Sequence, residues 1–198
     1  MRCWRDVRAG HDAVSTAGAA ATWTTTAING LPPVRFTANA ALTGPDLLHD
    51  PADVEILAVT RENARVTNAL ISLNSDVDTS PGRWFMHMPW SNGCFYFDPG
   101  DHYDNRTYRC GAATVGDPTL VTAYKDSVAA RNGLRINRGA DALSSGYSIG
   151  STAGGIRLGR TQVPPNHDIA ELLVFDRRLT AGEQTQMEDY LQTKWATP

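Results

Sequence analysis

The sequence predicts an all-β protein in which two antiparallel sheets pack face to face as a β-sandwich and one C-terminal α-helix lies on the outside. Three observations lead there. Short β-prone segments recur between Gly, Pro and Asn turn signals over most of the chain. The mostly apolar run Ile169-Ala170-Glu171-Leu172-Leu173-Val174-Phe175 has the make-up of a buried strand. That run then leads through Asp176-Arg177-Arg178-Leu179 into a helix start. Thr180 stands as N-cap with Glu183 three residues on, so each side chain can satisfy an otherwise orphaned amide in a capping box. The helix continues toward Trp195, and Met187, Tyr190, Leu191 and Lys194 fall at i, i+3, i+4 and i+7 with Trp195 beside them. This spacing predicts one mostly apolar stripe lying against a sheet.

The remaining elements follow in chain order. Residues 34–36 read as a first β-like segment. Gly44-Pro45-Asp46-Leu47-Leu48 predicts a short helical turn, ended by Pro51-Ala52-Asp53. Residues 54–60 form a stronger strand with a mostly apolar face, and 68–73 and 82–88 follow. Asn92-Gly93 is a hairpin dipeptide between Trp90 and Phe95, so 94–98 should pair with 84–88 in antiparallel fashion. Segments 107–112, 118–126, 134–137, 147–149, 156–158 and 169–175 complete the set. Roughly eleven strands and one helix are most simply buried as two packed antiparallel sheets. The length of 198 residues suits a single domain over 1–198, and 17 glycines with 11 prolines supply its turns. No repeat, long linker or coiled-coil heptad interrupts the pattern.

Three segments resemble one family. Residues 168–195, read as D-I-A-E-L-L-V-F-D-R-R-L-T-x-x-E-x-x-x-x-E-x-Y-L-x-x-K-W, resemble the C-terminal signature of LamG-like, concanavalin A-like jelly-roll domains, especially those of bacteriophage virion proteins. Trp4-Arg5-Asp6, Gly10-His11-Asp12-Ala13 and the stretch from Ile28 to Phe36 are similar to that family's opening elements. Met88-Pro89-Trp90-Ser91-Asn92-Gly93 with Phe95-Tyr96-Phe97-Asp98 is similar to its central hairpin. The resemblance implies a jelly roll carrying one terminal helix. It also implies a virion surface component, a capsid decoration or a tail- or fibre-associated protein, folded in the host cytoplasm. Its partners would be other virion structural proteins in an oligomeric assembly, together with host-surface carbohydrate. Family members usually carry a strand before the W-x-D element, whereas Trp4 here is almost terminal. A sheet lacking that strand would present an open edge, which invites pairing with another chain. The alternative is a carbohydrate-binding module of a secreted bacterial enzyme or adhesin, and a glycoside hydrolase ranks last, because sandwiches of this kind serve many functions.

Composition narrows the field. A formal net charge of −3 with an ordinary charged fraction argues against an electrostatic nucleic-acid binder. No apolar stretch is long enough to span a bilayer, and the start lacks an apolar signal region, so a soluble protein without export signal is expected. Cys94 and Cys110 flank a prospective hairpin, but three cysteines and no secretory signal make free thiols the expected state.

The residues that could carry chemistry are few. Asp76-Val77-Asp78 is the best carboxylate pair, yet it lacks the third acid of the E-x-D-x-x-E motif and lies at a turn before Pro81-Gly82. His11, His49, His87, His102 and His167 are isolated, with no G-x-S-x-G or H-E-x-x-H motif. The expectation is therefore a non-catalytic protein. The loop from Asp98 to Asn105 concentrates oxygen ligands of the type calcium takes, but its spacing matches no calcium-loop motif, so no metal or cofactor is assigned and calcium stays open. For carbohydrate, an aromatic platform beside planar polar groups is the chemical need. Trp90, Asp101, His102, Tyr103 and Asn105 are the ligand-binding candidates. The competing reading for Trp90 is packing in the core.

Overall fold

The computed structural model describes residues 3–8, 10–15, 21–37, 40–46, 53–65, 70–72, 83–100, 105–146, 155–159 and 166–198. Fifteen strands and one helix lie among them, in two sheets. The first sheet is built from β1 (Cys3–Trp4), β2 (Ala13–Ser15), β5 (Ala41–Thr43), β14 (Arg157–Gly159), β7 (Leu70–Ser72), β8 (Arg83–His87), β9 (Cys94–Gly100) and β10 (Thr107–Cys110), in that spatial order. The second runs β13 (Ala142–Leu143), β12 (Arg131–Ile136), β11 (Pro118–Asp126), β6 (Val54–Glu62), β15 (Asn166–Phe175), β4 (Val34–Thr37) and β3 (Thr22–Trp23). Every pairing is antiparallel and neither sheet closes on itself, so the architecture is the expected β-sandwich with its C-terminal helix, α1 (Ala181–Trp195).

The strand period of two sorts side chains between two cores. Along β6, Val54, Ile56 and Ala58 point into the space between the sheets, and Leu57 and Val59 point to the helix side. Both faces of β6 are thus covered, and all nine of its residues are buried. On β15 a register shift between Ile169 and Glu171 changes the phase. Ile169 packs between the sheets and Ala170 on the helix side, after which Leu172 and Val174 take the inner face and Leu173 and Phe175 the outer. The apolar run in the sequence is therefore a strand sandwiched between a sheet and a helix. Trp84, Met86, Met88, Phe95 and Phe97 close the main core from the first sheet.

The helix is held as predicted at its start and differently along its length. Thr180 accepts from the Glu183 amide, while the Glu183 carboxylate accepts from the Thr180 amide at 2.9 Å. Its buried residues are Gln184, Glu188, Leu191 and Trp195, with Met187 partly buried and Tyr190 43% exposed. The predicted apolar stripe is thus corrected to a half-polar one. The sheet beneath offers polar partners: Thr122 Oγ1 lies 3.1 Å from Glu188, and the Arg135 guanidinium reaches the same carboxylate. Trp195 anchors the far end and donates its Nε1–H to Glu171 at 2.6 Å.

Other expectations meet the structure unevenly. Residues 118–126 form a strand as read, and 34–36, 54–60, 82–88, 94–98, 134–137 and 169–175 overlap observed strands with shifted ends. Only part of 68–73 and none of 147–149 lies within the described residues. The helical turn expected from Gly44 is overturned at its start. Gly44 donates to the Ile156 carbonyl and Ile156 to that of Pro45, so this stretch continues the β5–β14 pairing; Leu47 and Leu48 lie outside the described residues. One glycine is demanded by packing: the Tyr124 ring lies directly on Gly133, where a Cβ would meet ring carbon at 2.1 Å.

Candidate functional site

The functional candidates gather on the outward face of the first sheet, across β8, β9 and β10. Register sets them in rows. Phe85 and Asp98 are paired, with Arg106 entering from just before β10, and His87, Tyr96 and Tyr108 align in the next row. Cys94 and Cys110 come next, and Trp90 flanks them from the hairpin joining β8 to β9. Because Phe95 and Phe97 point into the core, Cys94, Tyr96 and Asp98 must point out.

The hairpin explains how Trp90 is placed. Gly93, at φ 75°, closes the turn by donating to the Trp90 carbonyl at 2.7 Å, and Trp90 donates to that of Cys94 at 3.0 Å. The Asn92 side chain fixes the turn by accepting from the Cys94 amide and donating to Tyr96 Oη at 2.8 Å. Trp90 then packs its ring against His87 and Tyr96 at centroid distances of 5.5 and 5.7 Å. Both neighbours lie on the outer face, so the competing reading of Trp90, packing in the core between the sheets, does not hold. Its buried indole N–H has no hydrogen-bond partner among the described residues.

Asp98 is the electrostatic centre. It is fully buried, accepts from Arg106 Nε and Nη2 at 2.6 and 2.8 Å, and lies 3.2 Å from His87 Nε2. Burial by itself would raise this carboxyl, but the His87 and Arg106 hydrogen bonds outweigh it and bring it down to about 2. Arg106 also stacks over Tyr96 at 4.7 Å, so a single ion pair fixes the central ring. Exposure rises across the face: Phe85 and His87 are buried, Tyr96 and Trp90 half-buried, and Tyr108 is 59% exposed. Tyr96 and Tyr108 lie 6.0 Å apart with 34° between their planes.

Cys94 and Cys110 are directly opposed across β9 and β10 and are joined by a disulfide. The expectation of free thiols at these positions is overturned. The hairpin register brings their Cα atoms to 3.9 Å, which an odd cysteine count has no power to predict; Cys3 is the remaining free cysteine.

Of the candidates read from sequence, Asp101, His102 and Tyr103 lie outside the described residues. Asn105 is not brought to Trp90. Its carbonyl accepts from Asn132 of β12 and its side chain lies near Gly146, at the other end of the β9–β10 hairpin, roughly 15 Å along the strands. Tyr96, Arg106 and Tyr108 are candidate residues that sequence reading missed, and Asp98, read there only as part of an oxygen-rich loop, is bound instead to Arg106. The available signal was the alternation Phe95-Tyr96-Phe97-Asp98, in which one face is apolar and the other polar. Among the described residues no cluster of three His, Cys, Asp or Glu is arranged to hold a metal.

No protein-family model matches the sequence, and no curated protein matches it. Solved structures do. Trypanosoma rangeli sialidase superposes with a TM-score of 0.67 at 12% identity, over 99% of this chain and 32% of the sialidase. The botulinum neurotoxin DC binding domain in complex with SialylT gives 0.64 at 13% identity, over 96% of this chain and 50% of that one. These likenesses agree with the β-sandwich fold. Domain 4 of AbnA, a GH43 extracellular arabinanase from Geobacillus stearothermophilus, in complex with arabinotriose, gives 0.64 at 16% identity, over 86% of this chain and 82% of that domain. The chain thus spans about a third of the sialidase and half of the toxin domain.

Proposed function

We propose that this lectin-like sandwich is a non-catalytic carbohydrate-binding module whose binding face is the outer surface of β8, β9 and β10. The observation that carries the proposal is the ring array of Trp90, Tyr96 and Tyr108, held by the turn and by Asp98–Arg106, and open to solvent at Tyr108. Sugars present apolar C–H faces that stack on rings, and hydroxyls that bond to neighbouring polar groups such as Asn92 and the Tyr96 hydroxyl. Rigid aromatics make such contacts at small entropic cost. The toxin and arabinanase structures similar in fold are described with a sialylated ligand and with arabinotriose, which supports the same class of ligand for this chain.

Binding is favoured over hydrolysis by the state of Asp98. A carboxylate held ionised down to about 2 and occupied by Arg106 and His87 is a poor general acid, which needs a raised value. The Cys94–Cys110 disulfide supports an oxidising compartment and hence the secreted-module setting. The test is a glycan array with the wild type and Tyr108→Ala. Binding that is lost in the variant, with unchanged melting, is the expected result, and an array without hits refutes the proposal.

A second reading rests on the likeness of residues 168–195 to phage jelly-roll domains. In it the chain sits on a virion surface, contacts other structural proteins in an oligomeric assembly, and turns the same ring face toward host carbohydrate. Mass spectrometry of purified virions tests it, and absence of the chain from particles refutes it.

A further inference from the structure

The turn that carries Trp90 adjoins a cleft at the same end of the sandwich. Where the chain leaves β10 and enters β11, residues 111–114 and 117–119, with Asn137 and Pro198, enclose about 140 Å³. The cleft wall is tied to the ring face. Gly111 donates to the Gly93 carbonyl at 3.2 Å, and the Arg65 guanidinium lies against Gly93 while donating to the Ala113 carbonyl at 3.4 Å. Asn137 fixes the same wall from β12: its Oδ1 accepts from the Leu120 amide at 2.9 Å, and its Nδ2 donates to the Ala112 carbonyl at 3.4 Å.

This wall leaves several hydrogen-bonding groups unused. Thr119 is 3% exposed, yet its hydroxyl has no partner among the described residues. A hydroxyl taken out of water unpaired is unfavourable, and a ligand group entering the cleft relieves that. The Thr114 hydroxyl and the Asp117 carboxylate are also uncommitted, and the amides of Ala112, Ala113 and Thr114 donate to no carbonyl among the described residues. Acceptors and donors thus stand together around a space well below the roughly 300–1,000 Å³ of a drug-sized site, which suits one hydroxyl-rich unit rather than a whole ligand. We propose that the cleft is a second subsite, which takes the terminal sugar of an oligosaccharide whose preceding units lie on Tyr96 and Tyr108; this rests on the carbohydrate-binding reading above. Tyr108 and Gly111 are three residues apart, about 10 Å at the strand rise, a gap that a chain of roughly three or four sugars bridges and a single sugar does not. Cys110, exposed between them, leaves the path along β10 open.

The test is calorimetric titration with linear arabinan, xylan, mannan and cellulose oligosaccharides, from monosaccharide to hexasaccharide. The expected result is a gain in affinity of at least about tenfold between disaccharide and tetrasaccharide. Thr119→Val and Asp117→Asn should each weaken the tetrasaccharide by about two- to tenfold, the worth of one hydrogen bond, and leave the disaccharide and the melting temperature unchanged. Tyr108→Ala should weaken both lengths. A tetrasaccharide that binds no tighter than the disaccharide, or that keeps its advantage in both cleft variants, overturns the second subsite and leaves the ring-face reading intact. A disaccharide weakened by the cleft variants as much as the tetrasaccharide overturns the division into two subsites. Asp117 lies on the surface, so Asp117→Asn keeps the test decisive should Thr119→Val fail to fold. Absence of binding at every length overturns both readings.

Discussion

Replacing Asp98 with Asn removes one charge and almost no volume, and its effect should be written in the pH dependence of stability. In the folded protein the Asp98 carboxyl is brought down to about 2 from an ordinary value of 3.8. A carboxyl that ionises more readily in the folded state stabilises it above the unfolded value, and that contribution disappears as the pH falls from near 4 to near 2. The difference corresponds to about 2 kcal/mol. At neutral pH, Asp98→Asn should therefore lower stability by about 2 kcal/mol, equivalent to roughly 4–8 °C in melting temperature for a chain of this size. Urea unfolding followed by tryptophan fluorescence at pH 7, 4 and 2 provides the measurement. The gap between wild type and variant should be full at pH 7 and close toward pH 2. A gap that stays constant across this range, or no gap at pH 7, would refute the reasoning, because either result would mean that the carboxylate is not held by Arg106 and His87.

Three further outcomes are expected. Trp195→Ala should cost about 3–5 kcal/mol in unfolding free energy, because a 4% exposed ring anchors α1 and bonds Glu171; an unchanged melting temperature would show the helix to be undocked. His167 is fully buried against Phe36 and burial pushes it down to about 4, so the unfolded chain takes up its proton first. Stability should fall by about 3 kcal/mol as pH drops from 6.5 to 4, and His167→Phe should flatten that slope in chemical denaturation. Native protein treated with a thiol reagent should show a single reactive cysteine, Cys3, and Cys94→Ser with Cys110→Ser should lower stability by about 3 kcal/mol for a closed loop of this size; three reactive thiols in the native protein would contradict the pairing.

The parts of this fold that were legible in the sequence are those whose signals are local. The Thr180–Glu183 box is readable because both partners lie within one turn, and Asn92-Gly93 because a tight turn demands a residue at positive φ. The strands β1, β3 and β13 have two residues each, too few for alternation to show, and owe their existence to neighbours distant in sequence. The half-polar helix stripe is hidden in the sequence for a related reason. Glu188 and Gln184 look like surface residues until Thr122 and Arg135 are placed beneath them. At the site, Trp90 stood out by its chemistry, but its surroundings depended on register. Only the pairing of His87 with Tyr96 and of Tyr96 with Tyr108 turns three scattered rings into one surface. Asn105 stands next to Arg106 in the chain, yet its carbonyl faces Asn132 of β12 and its side chain faces Gly146, at the end of the β9–β10 hairpin away from Trp90.

The central claim is that the outer face of β8, β9 and β10 binds carbohydrate, and its most direct test is a titration followed by amide and indole NMR shifts, using the best glycan from the array. The account predicts that the largest changes fall on Trp90, including its indole N–H, and on Tyr96, Arg106, Tyr108 and the Asn92 turn. Saturable shifts confined to the helix side, at Glu171, Tyr190 and Trp195, would contradict it.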